Sequence, residues 1–407
     1  MELYLHIPFC VRKCLYCDFL SFPADEDLRR RYVEQLAAEI RSCGKRFRQK
    51  KLSSEVSSVF FGGGTPSLLT PDQISMLMEA VRESFLLLPE AEITIEANPG
   101  AFDETRVKRW REEGINRLSL GLQSSDREEL ACLGRIHSFA DFLESFRLAR
   151  EAGFDNINVD VMSALPGQTP ECFRRTLEAV AALSPEHISA YSLIIEEGTP
   201  FYQWYGETIS ADAESDSEPA VESSAGGMAH APLPGEEADR QMYHETKRCL
   251  AGYGFYRYEI SNYAKPGREC RHNIGYWDGT DYLGLGLGAA SLVDGERFTV
   301  TRSLKEYLAF TPEELADGAQ YREREVLTQK ERMEEFMFLG LRLTAGVSAA
   351  EFERRFGTRL ESVYGEVLCR LEEEGLLVME GREEKRSYRL TEFGLDVSNY
   401  ALAEFLL

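Results

Sequence analysis

The feature that most constrains the fold is a sixfold alternation of strand-like and helix-like segments in the first half of the chain. Each unit begins with a short apolar or β-branched run, and an amphipathic or capped helical run follows it. The strand-like runs lie near residues 2–7, 56–61, 92–96, 117–122, 156–161 and 187–193. Parallel strands need crossover connections, usually helices, so this series predicts an α/β fold with one parallel sheet. Six units in place of the eight of a TIM barrel predict a partial, TIM-like (βα)6 barrel.

Three cysteines share one loop directly after the first predicted strand. Cys10, Cys14 and Cys17 follow Pro8, which ends the strand-like run, and two charged residues between the first two cysteines indicate an exposed loop. Three thiolates can hold three corners of a 4Fe-4S cluster and leave the fourth iron free to bind a small chelating molecule. The spacing C-x3-C-x2-C therefore predicts chemistry at an iron–sulfur cluster with one open iron.

Two alternative interpretations of this loop are a zinc site and a chance grouping of buried cysteines. Zinc could be held by the three cysteines together with His6 or another fourth ligand. Structural zinc cysteines usually come as two closely spaced pairs, however, and no second pair follows downstream. A chance grouping of buried cysteines disagrees with the charged character of the loop. The iron–sulfur interpretation is therefore favoured over both.

Polar residues and a glycine-rich loop recur where the predicted strands end. Residues 62–66, G-G-G-T-P, follow the second strand, and the missing side chains let a ligand contact the backbone. The next three strands end at Glu96, Gln123 and Asp160, and Arg135 lies in the segment after the fourth strand. Barrel folds bind ligands at this end of their strands, so we expect these residues to line one site. A phosphate-binding loop is the competing interpretation of the glycines, but no G-K-S/T follows them.

The cysteine spacing, with Tyr16 before the last cysteine, resembles the signature of the radical S-adenosylmethionine (SAM) superfamily. One of its subgroups contains oxygen-independent coproporphyrinogen III dehydrogenases and related heme chaperones. Four stretches of this chain resemble that subgroup, namely V-F-F-G-G-G-T-P-S, I-T-I-E-A-N-P, S-L-G-L-Q-S and N-V-D-V-M-S-A-L-P-G-Q-T. The resemblance implies a 4Fe-4S cluster on the three cysteines and SAM on its open iron, where an electron from the cluster cleaves SAM to a 5'-deoxyadenosyl radical.

The same resemblance implies eight positions that bind SAM. The methionine end of SAM would be contacted by Tyr4, Gly63, Gly64 and Thr65, with the glycine loop receiving its amino group. The carboxylate, the ribose or nearby groups would be bound by Glu96, Gln123, Arg135 and Asp160. The resemblance assigns no catalytic residue.

One position separates the two branches of this subgroup. Its dehydrogenases have a further cysteine two residues after the third, and Phe19 stands there in this chain. The departure puts decarboxylating dehydrogenase activity in doubt, and the C-D-F sequence resembles the heme-chaperone branch. The resemblance therefore implies a protein that binds heme and passes it to acceptor proteins. The alternative is a coproporphyrinogen III dehydrogenase or another radical SAM oxidoreductase.

A second motif, H-N-I-G-Y-W at residues 272–277, resembles the H-N-x-x-Y-W motif that heme chaperones are thought to use for holding heme. A neutral imidazole can bind heme iron, and two large aromatic rings can flank a porphyrin face. His272 is accordingly the candidate heme ligand, and Cys270 is a rival ligand two residues earlier. A histidine beside Tyr and Trp is also a common core residue, so both interpretations stay open.

The amino-acid composition changes after the sixth predicted strand and indicates an insert in the chain. Residues 206–239 contain no Lys or Arg and are rich in Ser, Ala, Gly, Pro, Asp and Glu, which predicts a flexible acidic insert. The insert separates the predicted barrel, residues 1–205, from a barrel extension at residues 240–320. In that extension the run L-G-L-G-L-G-A-A lacks the G-x-G-x-x-G spacing of a dinucleotide site. We expect its backbone to pack closely against the barrel mouth.

The last segment, residues 321–407, is predicted to be a helical module with the outline of a winged helix. Its third helix, near residues 360–374, carries five glutamates against one arginine, and the whole chain has a formal net charge of −23. Such a surface repels phosphate backbones, which excludes a role in nucleic-acid binding. The module is therefore interpreted as a lid or docking surface for the barrel.

Localisation and partners follow from the same observations. No apolar run approaches the roughly 20 residues that a membrane span needs, and no signal peptide is recognisable at the N-terminus. Nine cysteines, an odd number with three in one loop, suit a reducing compartment, so we expect a cytoplasmic protein. The resemblance implies three partners: heme, a heme-accepting protein and a reductant such as a flavodoxin-type donor.

Overall fold

A twelve-stranded sheet forms the body of the protein in the computed structural model, which describes residues 1–212, 230–382 and 385–406. The six central strands are parallel and lie side by side in chain order. They are β1 (Glu2–Ile7), β2 (Glu55–Gly63), β3 (Leu86–Ala97), β4 (Arg117–Gln123), β5 (Ile157–Ser163) and β6 (His187–Ser192). This arrangement confirms the predicted α/β fold, and the sheet is open.

Helices connect the parallel strands. They are α1 (Glu26–Lys50), α2 (Pro71–Ser84), α3 (Glu104–Glu112), α4 (Arg127–Cys132), α5 (Phe139–Glu151) and α6 (Pro170–Ala182), with a short 3-10 turn at Pro66–Leu68. Each of the six α-helices begins after a side chain that accepts a backbone N–H of its first turn, namely Asp25, Thr70, Asp103, Asp126, Ser138 and Thr169. These caps satisfy donors that helical hydrogen bonds leave free, and they fix where each helix starts.

The two faces of the parallel sheet differ in character because alternate residues of a strand point to opposite sides. In β1, Leu3, Leu5 and Ile7 are buried in the main apolar core, which also contains the inward faces of α1 and α2. The intervening residues Glu2 and His6 are polar and also buried. The second face of the sheet is therefore lined with buried polar groups, and the functional site lies on that face.

The sheet continues beyond β6 and on the other side of β1. The next elements along the chain are α7 (Pro200–Asp212), α8 (Glu236–Ala251), β7 (Tyr256–Arg257), β8 (Asn262–Ala264), α9 (Arg271–Asp278), β9 (Tyr282–Leu285), β10 (Ala290–Val293) and β11 (Glu296–Val300). They are followed by α10 (Leu304–Tyr307), α11 (Pro312–Asp317) and β12 (Tyr321–Val326). β8 pairs antiparallel with β6, whereas β9 pairs parallel with β1.

The glycine-rich run contains β9 itself, and close backbone packing is the reason for its glycines. A Cβ on Gly284 would collide with the backbone of Ala290, and one on Gly286 would lie 2.8 Å from the carbonyl oxygen of His6. Gly286 also has a φ of +94°, which side chains other than glycine rarely adopt. The expectation of close packing holds, although the run forms a strand beside β1.

The predicted insert, residues 206–239, overlaps two helices at its ends. α7 covers its first residues and α8 covers its last ones, while residues 213–229 lie outside the described part of the chain. Trp204 and His230 stack with ring centroids 3.9 Å apart, so the two described ends lie next to each other.

The C-terminal module has its own apolar core. Its elements are α12 (Gln329–Gly340), β13 (Val347–Ser348), α13 (Ala349–Phe356), α14 (Leu360–Glu373), β14 (Leu377–Glu380), β15 (Ser387–Leu390), α15 (Glu392–Asp396) and α16 (Ser398–Ala403). The three strands form a separate sheet in the order β13-β15-β14. The helices α12, α13 and α14 and the hairpin of β14 and β15 match the helices and hairpin expected from the sequence. The module packs through α12 against α9. Across the described ranges, no helix combines the length and apolar character needed to cross a bilayer.

Candidate functional site

A cavity of about 390 Å³ opens at the carboxyl ends of the parallel strands. It is lined by ten of the residues that the sequence singled out, namely Cys10, Cys14, Cys17, Gly63, Gly64, Thr65, Glu96, Gln123, Arg135 and Asp160. They come from the segments at or after the ends of β1 to β5, which is where barrel-type folds place ligand-binding groups. These ten residues share one cavity, and Tyr4 is the one SAM-binding candidate that does not line it.

The cysteine loop is held by backbone hydrogen bonds at both ends. Cys10 N–H donates to the carbonyl of Phe22 (3.1 Å), and Leu15 N–H donates to the carbonyl of Leu133 (3.1 Å). Phe9, which precedes the first cysteine, is buried and packs edge-on against Tyr32 of α1. These contacts fix the loop over the cavity while the thiols stay partly accessible.

The donor set fits an iron–sulfur cluster. All three thiols are free, and burial raises the pKa of Cys17 to about 11, so binding of iron there would displace a proton. Among the described residues, no three His, Cys, Asp or Glu side chains converge closely enough to hold a single metal ion. Each thiolate of a cubane cluster binds its own iron, so the three sulfurs need to face one cavity and need not meet at one point.

The glycine loop lies directly against β1. A Cβ on Gly64 would lie 2.7 Å from the carbonyl oxygen of Phe9, and one on Gly63 would lie 2.6 Å from the His6 ring. Gly64 N–H donates to the carbonyl of Ile7 (2.8 Å). Only residues without side chains allow this approach, which leaves the backbone of the loop facing the cavity.

A chain of polar contacts links the first two cysteines across the cavity. The sulfur of Cys10 lies 3.4 Å from Oγ1 of Thr65, and this oxygen accepts from Nδ2 of Asn98 at 3.0 Å. Oδ1 of Asn98 accepts from Nη1 of Arg135 (3.2 Å), and the same nitrogen lies 3.6 Å from the sulfur of Cys14. A fixed positive charge and two polar side chains thus connect loops that are far apart in sequence.

Burial raises the pKa of two carboxyl groups that line the cavity. Burial raises the pKa of Glu96 to about 8, the nearby charge of Asp160 adds to the shift, and a hydrogen bond from Gly63 N–H (3.1 Å) opposes it. Burial also raises the pKa of Asp160, against hydrogen bonds such as that from Asn158 Nδ2 (2.7 Å). The cavity therefore offers a protonated carboxyl at Glu96 near neutral pH.

Gln123 occupies a backbone conformation that favours glycine. Its φ is +74°, it is buried, and its Oε1 accepts from the hydroxyl of Tyr191 at 3.1 Å. A non-glycine residue in this region costs energy, which the surrounding contacts must offset, and such residues cluster at ligand sites. Gln123 is therefore a residue with a strained backbone that lines the cavity.

Tyr4 lies one layer below the cavity. Its hydroxyl is 3.1 Å from Nδ1 of His6, and its ring stacks near Phe60 and His272 with centroids 6.3 and 6.5 Å away. Tyr4 thus contacts residues beneath the glycine loop, and the structure does not place it at the cavity surface.

His272 is also buried below the cavity, with 2 % of its surface exposed. Its Nδ1 is 2.7 Å from the hydroxyl of Ser58, its ring stacks on Phe60 with centroids 5.0 Å apart, and its Nε2 has no hydrogen-bond partner within the described ranges. Burial, with a contribution from the Arg117 charge, lowers the pKa of His272 to about 3. The imidazole is therefore neutral and has one unpaired nitrogen.

The rival ligand Cys270 is fully buried as well. Its sulfur lies 3.4 Å from Oε1 of Glu92, and burial raises the pKa of the thiol. Neither candidate heme ligand reaches the cavity of the cysteine loop, although Asn273, the residue after His272, does line it.

Several cavity residues were missed by sequence reasoning. They are Asn98, Ser119, Tyr191 and Asn262, which line the cavity beside the predicted residues. Asn98 could have been found, since it follows Glu96 by two residues in the same strand-end segment. Asn262 comes from a short strand far along the chain, and no local pattern indicates that it pairs beside β6.

Fold and site together define a radical SAM protein. Residues 4–180 match the family model of the radical SAM superfamily, and residues 327–397 match the model of the HemN C-terminal domain. A solved structure of coproporphyrinogen III oxidase (HemN) from Escherichia coli, described as a radical SAM enzyme, is similar with a TM-score of 0.76 and 24 % identity. The alignment covers 100 % of this chain and 89 % of that one, and at this identity it shows the fold alone.

Curated relatives narrow the assignment. The heme chaperone HemW of Bacillus subtilis (strain 168) is 34 % identical over 99 % of this chain and 98 % of its own length. HemW of Lactococcus lactis is also 34 % identical, over 99 % of this chain and 97 % of its own length. The chain belongs to the family of the heme chaperone HemW, and the expected resemblance is confirmed. Membership of the radical SAM superfamily implies a 4Fe-4S cluster and SAM as cofactors.

Proposed function

We propose that this protein binds heme and passes it to acceptor proteins, with a 4Fe-4S cluster and SAM in the cavity of the cysteine loop. The observation that carries the proposal is the full-length similarity to relatives named as heme chaperones. A second observation agrees with it, because Phe19 lines the cavity where the dehydrogenase branch has a further cysteine. An exposed phenyl ring, with 67 % of its surface accessible, cannot bind iron or transfer a proton.

Different residues of the cavity would hold the cluster and SAM. Cys10, Cys14 and Cys17 would each bind one iron of the cluster, and Arg135 would offset part of the resulting negative charge. When bound, the cluster supplies single electrons, and its open iron binds the methionine group of SAM. The backbone around Gly63 and Gly64 would receive the amino group of SAM, since no side chain blocks that approach.

The remaining residues would orient the rest of SAM. Arg135 suits the carboxylate because a guanidinium binds such groups through charge-assisted hydrogen bonds. Asp160 suits hydroxyl groups of the ribose as an acceptor, and Glu96, when protonated, can also donate. Gln123 would be positioned by Tyr191 to contact the same molecule. Tyr4 would act from the layer below, by holding the His6 ring under the glycine loop.

His272 would bind the heme iron. Its neutral imidazole with an unpaired Nε2 has the chemistry required. Because only 2 % of its surface is exposed, ligation requires the neighbouring rings to move. The proposal includes a reductant such as a flavodoxin-type donor, a heme-accepting protein and a cytoplasmic location. That location is suggested by nine cysteines, all of them unpaired.

The experiment compares heme transfer with porphyrinogen oxidation in one preparation. The full chain, reconstituted anaerobically with iron and sulfide, is loaded with heme, separated from free heme and mixed with an apo-form of a heme protein. We expect the acceptor to gain its holo-spectrum. In parallel, the heme-free protein is incubated with coproporphyrinogen III, SAM and a reductant, and we expect no vinyl-bearing product. Formation of that product without any heme transfer would reverse the assignment in favour of a dehydrogenase.

A further inference from the structure

A second cavity, also of about 390 Å³, lies between the C-terminal module and the extension of the sheet. One wall is formed by the end of α9 and by β9 and β10, and the other by α12 and α13. We call it the module groove. It is separate from the cavity of the cysteine loop, and the two share no lining residue.

The walls of the module groove are rich in aromatic rings. Trp277, Phe336, Phe338 and Phe356 all line it. Phe336 and Phe356 pack edge to face with centroids 5.8 Å apart, and the guanidinium of Arg342 lies 4.3 Å from the centre of the Trp277 ring. Aromatic walls of this kind suit a flat apolar ligand, because the rings supply large contact areas with little loss of conformational entropy.

Three arginines line the same groove in a chain that is strongly acidic overall. Arg297 pairs with Glu335 (2.8 Å), and Arg355 donates to the carbonyl of Asp278 (2.7 Å) and pairs with Glu351 (2.6 Å). Arg332 is exposed, its guanidinium lies 6.0 Å from the ring centre of Phe356, and no carboxylate in the described ranges pairs with it. Asp281 and Glu335 line the groove as well, so Arg332 is the cation that stands free beside the apolar walls. A free guanidinium beside aromatic walls suits a ligand with both a flat ring and a carboxylate.

The groove adjoins His272 through one intervening ring. Tyr276 lines the groove and packs edge-on against the imidazole of His272, with centroids 5.0 Å apart. Tyr276 also packs against Tyr282, another lining residue, at 4.6 Å. The motif H-N-I-G-Y-W therefore has two sides: its asparagine faces the cavity of the cysteine loop, whereas its Tyr and Trp face the module groove.

We propose that the module groove is the binding site for the heme ring, with a heme carboxylate held by Arg332. This inference rests on the proposed function, since it names the place where that heme is held. Heme would lie between the aromatic walls, and the C-terminal module would form one side of the site. The Tyr276 ring lies between the groove and the His272 ring, so Tyr276 would have to move before heme in the groove could contact the imidazole.

The test uses heme titrations, followed by the Soret absorbance, on the full reconstituted chain and two charge-reversal variants. Arg332→Glu reverses a groove cation, and Lys330→Glu makes the same charge change two residues earlier on α12, outside the groove. We expect Arg332→Glu to raise the Kd for heme about tenfold or more. Lys330→Glu should leave the Kd within about twofold of the unmutated value, since exposed charges contribute little at a distance.

Heme dimethyl ester is the second probe, because it keeps the ring and iron but lacks the carboxylates. We expect it to bind the unmutated chain more weakly than heme does, and to bind Arg332→Glu and the unmutated chain equally. Leu339→Trp, which fills the groove, should abolish heme uptake while cluster content and thermal stability stay unchanged.

The outcomes separate this inference from the proposed function. If the unmutated chain takes up no heme, the proposed function fails and this inference fails with it. If the unmutated chain binds heme but Arg332→Glu matches Lys330→Glu, or heme and its ester bind equally, the chaperone function stands and the groove assignment is wrong.

Discussion

The guanidinium of Arg135 lies 3.6 Å from the sulfur of Cys14, measured from Nη1 to Sγ, and its other terminal nitrogen donates to the carbonyl of Gly121 at 2.7 Å. The arginine is thereby anchored to β4 while it reaches the cysteine loop that follows β1. One residue connects the parallel sheet to the metal-binding loop, and it brings a positive charge to the thiol that would carry negative charge in a cluster.

The positive charge of Arg135 should raise the midpoint potential of the cluster. Arg135→Gln removes the cation, and because a cluster gains negative charge on reduction, the midpoint potential should fall by on the order of tens of millivolts. Spectroelectrochemical titration of the reconstituted variant measures this shift. Arg127→Gln, an exposed change on α4, is the control and should leave the potential unchanged. Equal potentials in both variants would show that Arg135 is not close to the cluster.

The glycine loop should tolerate no side chain at Gly64. In Gly64→Ala the new methyl group would meet the backbone of Ile7 and Phe9, both closer than 3.0 Å, so the loop must shift. We expect a loss of about 1–3 kcal/mol in the free energy of unfolding, together with weaker SAM binding by calorimetry.

The matched control for this variant is Gly365→Ala. Gly365 lies in α14, and a Cβ there meets nothing within 4 Å. Alanine favours a helix over glycine, so this variant should gain about 0.5–1 kcal/mol and bind SAM normally. A Gly64→Ala protein as stable and as competent in SAM binding as the control would contradict the assigned loop geometry.

Local patterns predicted the elements that surround the site. Pro8 ends β1 before the cysteines, and Thr70 with Pro71 begins α2, because such residues constrain the backbone within a few positions. Parallel strands that follow one another in sequence place their carboxyl ends together, so Glu96 and Asp160 were expected at one cavity.

The structural features that the sequence did not predict depend on contacts between segments that are distant in sequence. β9 joins the sheet beside β1 although about 275 residues separate them, and no local signal specifies that neighbour. The same applies to His272, whose burial follows from the packing of α9 on the polar face of the sheet. The module groove joins elements from two parts of the chain, so only the structure reveals it.

The stability of the protein should depend on pH through Glu2. Burial raises the pKa of Glu2 to about 9, and the charges of Asp278 and Glu92 add to the shift. The folded state therefore holds a proton that the unfolded state loses above its ordinary pKa of 4.5. Stability from this proton is fully present below pH 4.5 and falls as pH rises toward 9, by up to about 1.4 kcal/mol per pH unit.

Glu2→Gln removes this titration while it keeps a neutral side chain of similar size. Denaturant unfolding at pH 6, 7 and 8 should show a shallower loss of stability with rising pH in Glu2→Gln than in the unmutated chain. Glu79→Gln, an exposed change on α2, should keep the original slope. Parallel pH profiles for Glu2→Gln and the unmutated chain would mean that Glu2 is ionised in the folded protein.

His272 and His187 provide a matched pair of buried histidines. Both side chains lie on the polar face of the sheet, and His187 bonds to Asn158 (2.6 Å) and Tyr258 (2.8 Å) with both nitrogens, whereas Nε2 of His272 lacks a partner within the described part. We expect His272→Ala to weaken heme binding at least tenfold and to change the Soret maximum, with cluster content retained. Equal loss of heme binding in His187→Ala would show a structural effect and would remove His272 as the ligand.

The most direct test of the central claim is heme retention by the anaerobically reconstituted, unmutated chain during gel filtration, with iron, acid-labile sulfide and heme measured in the same fractions. We predict a Soret band that elutes with the protein at about one heme per chain, beside a 4Fe-4S cluster. A protein peak that carries the cluster but no Soret absorbance would contradict the account.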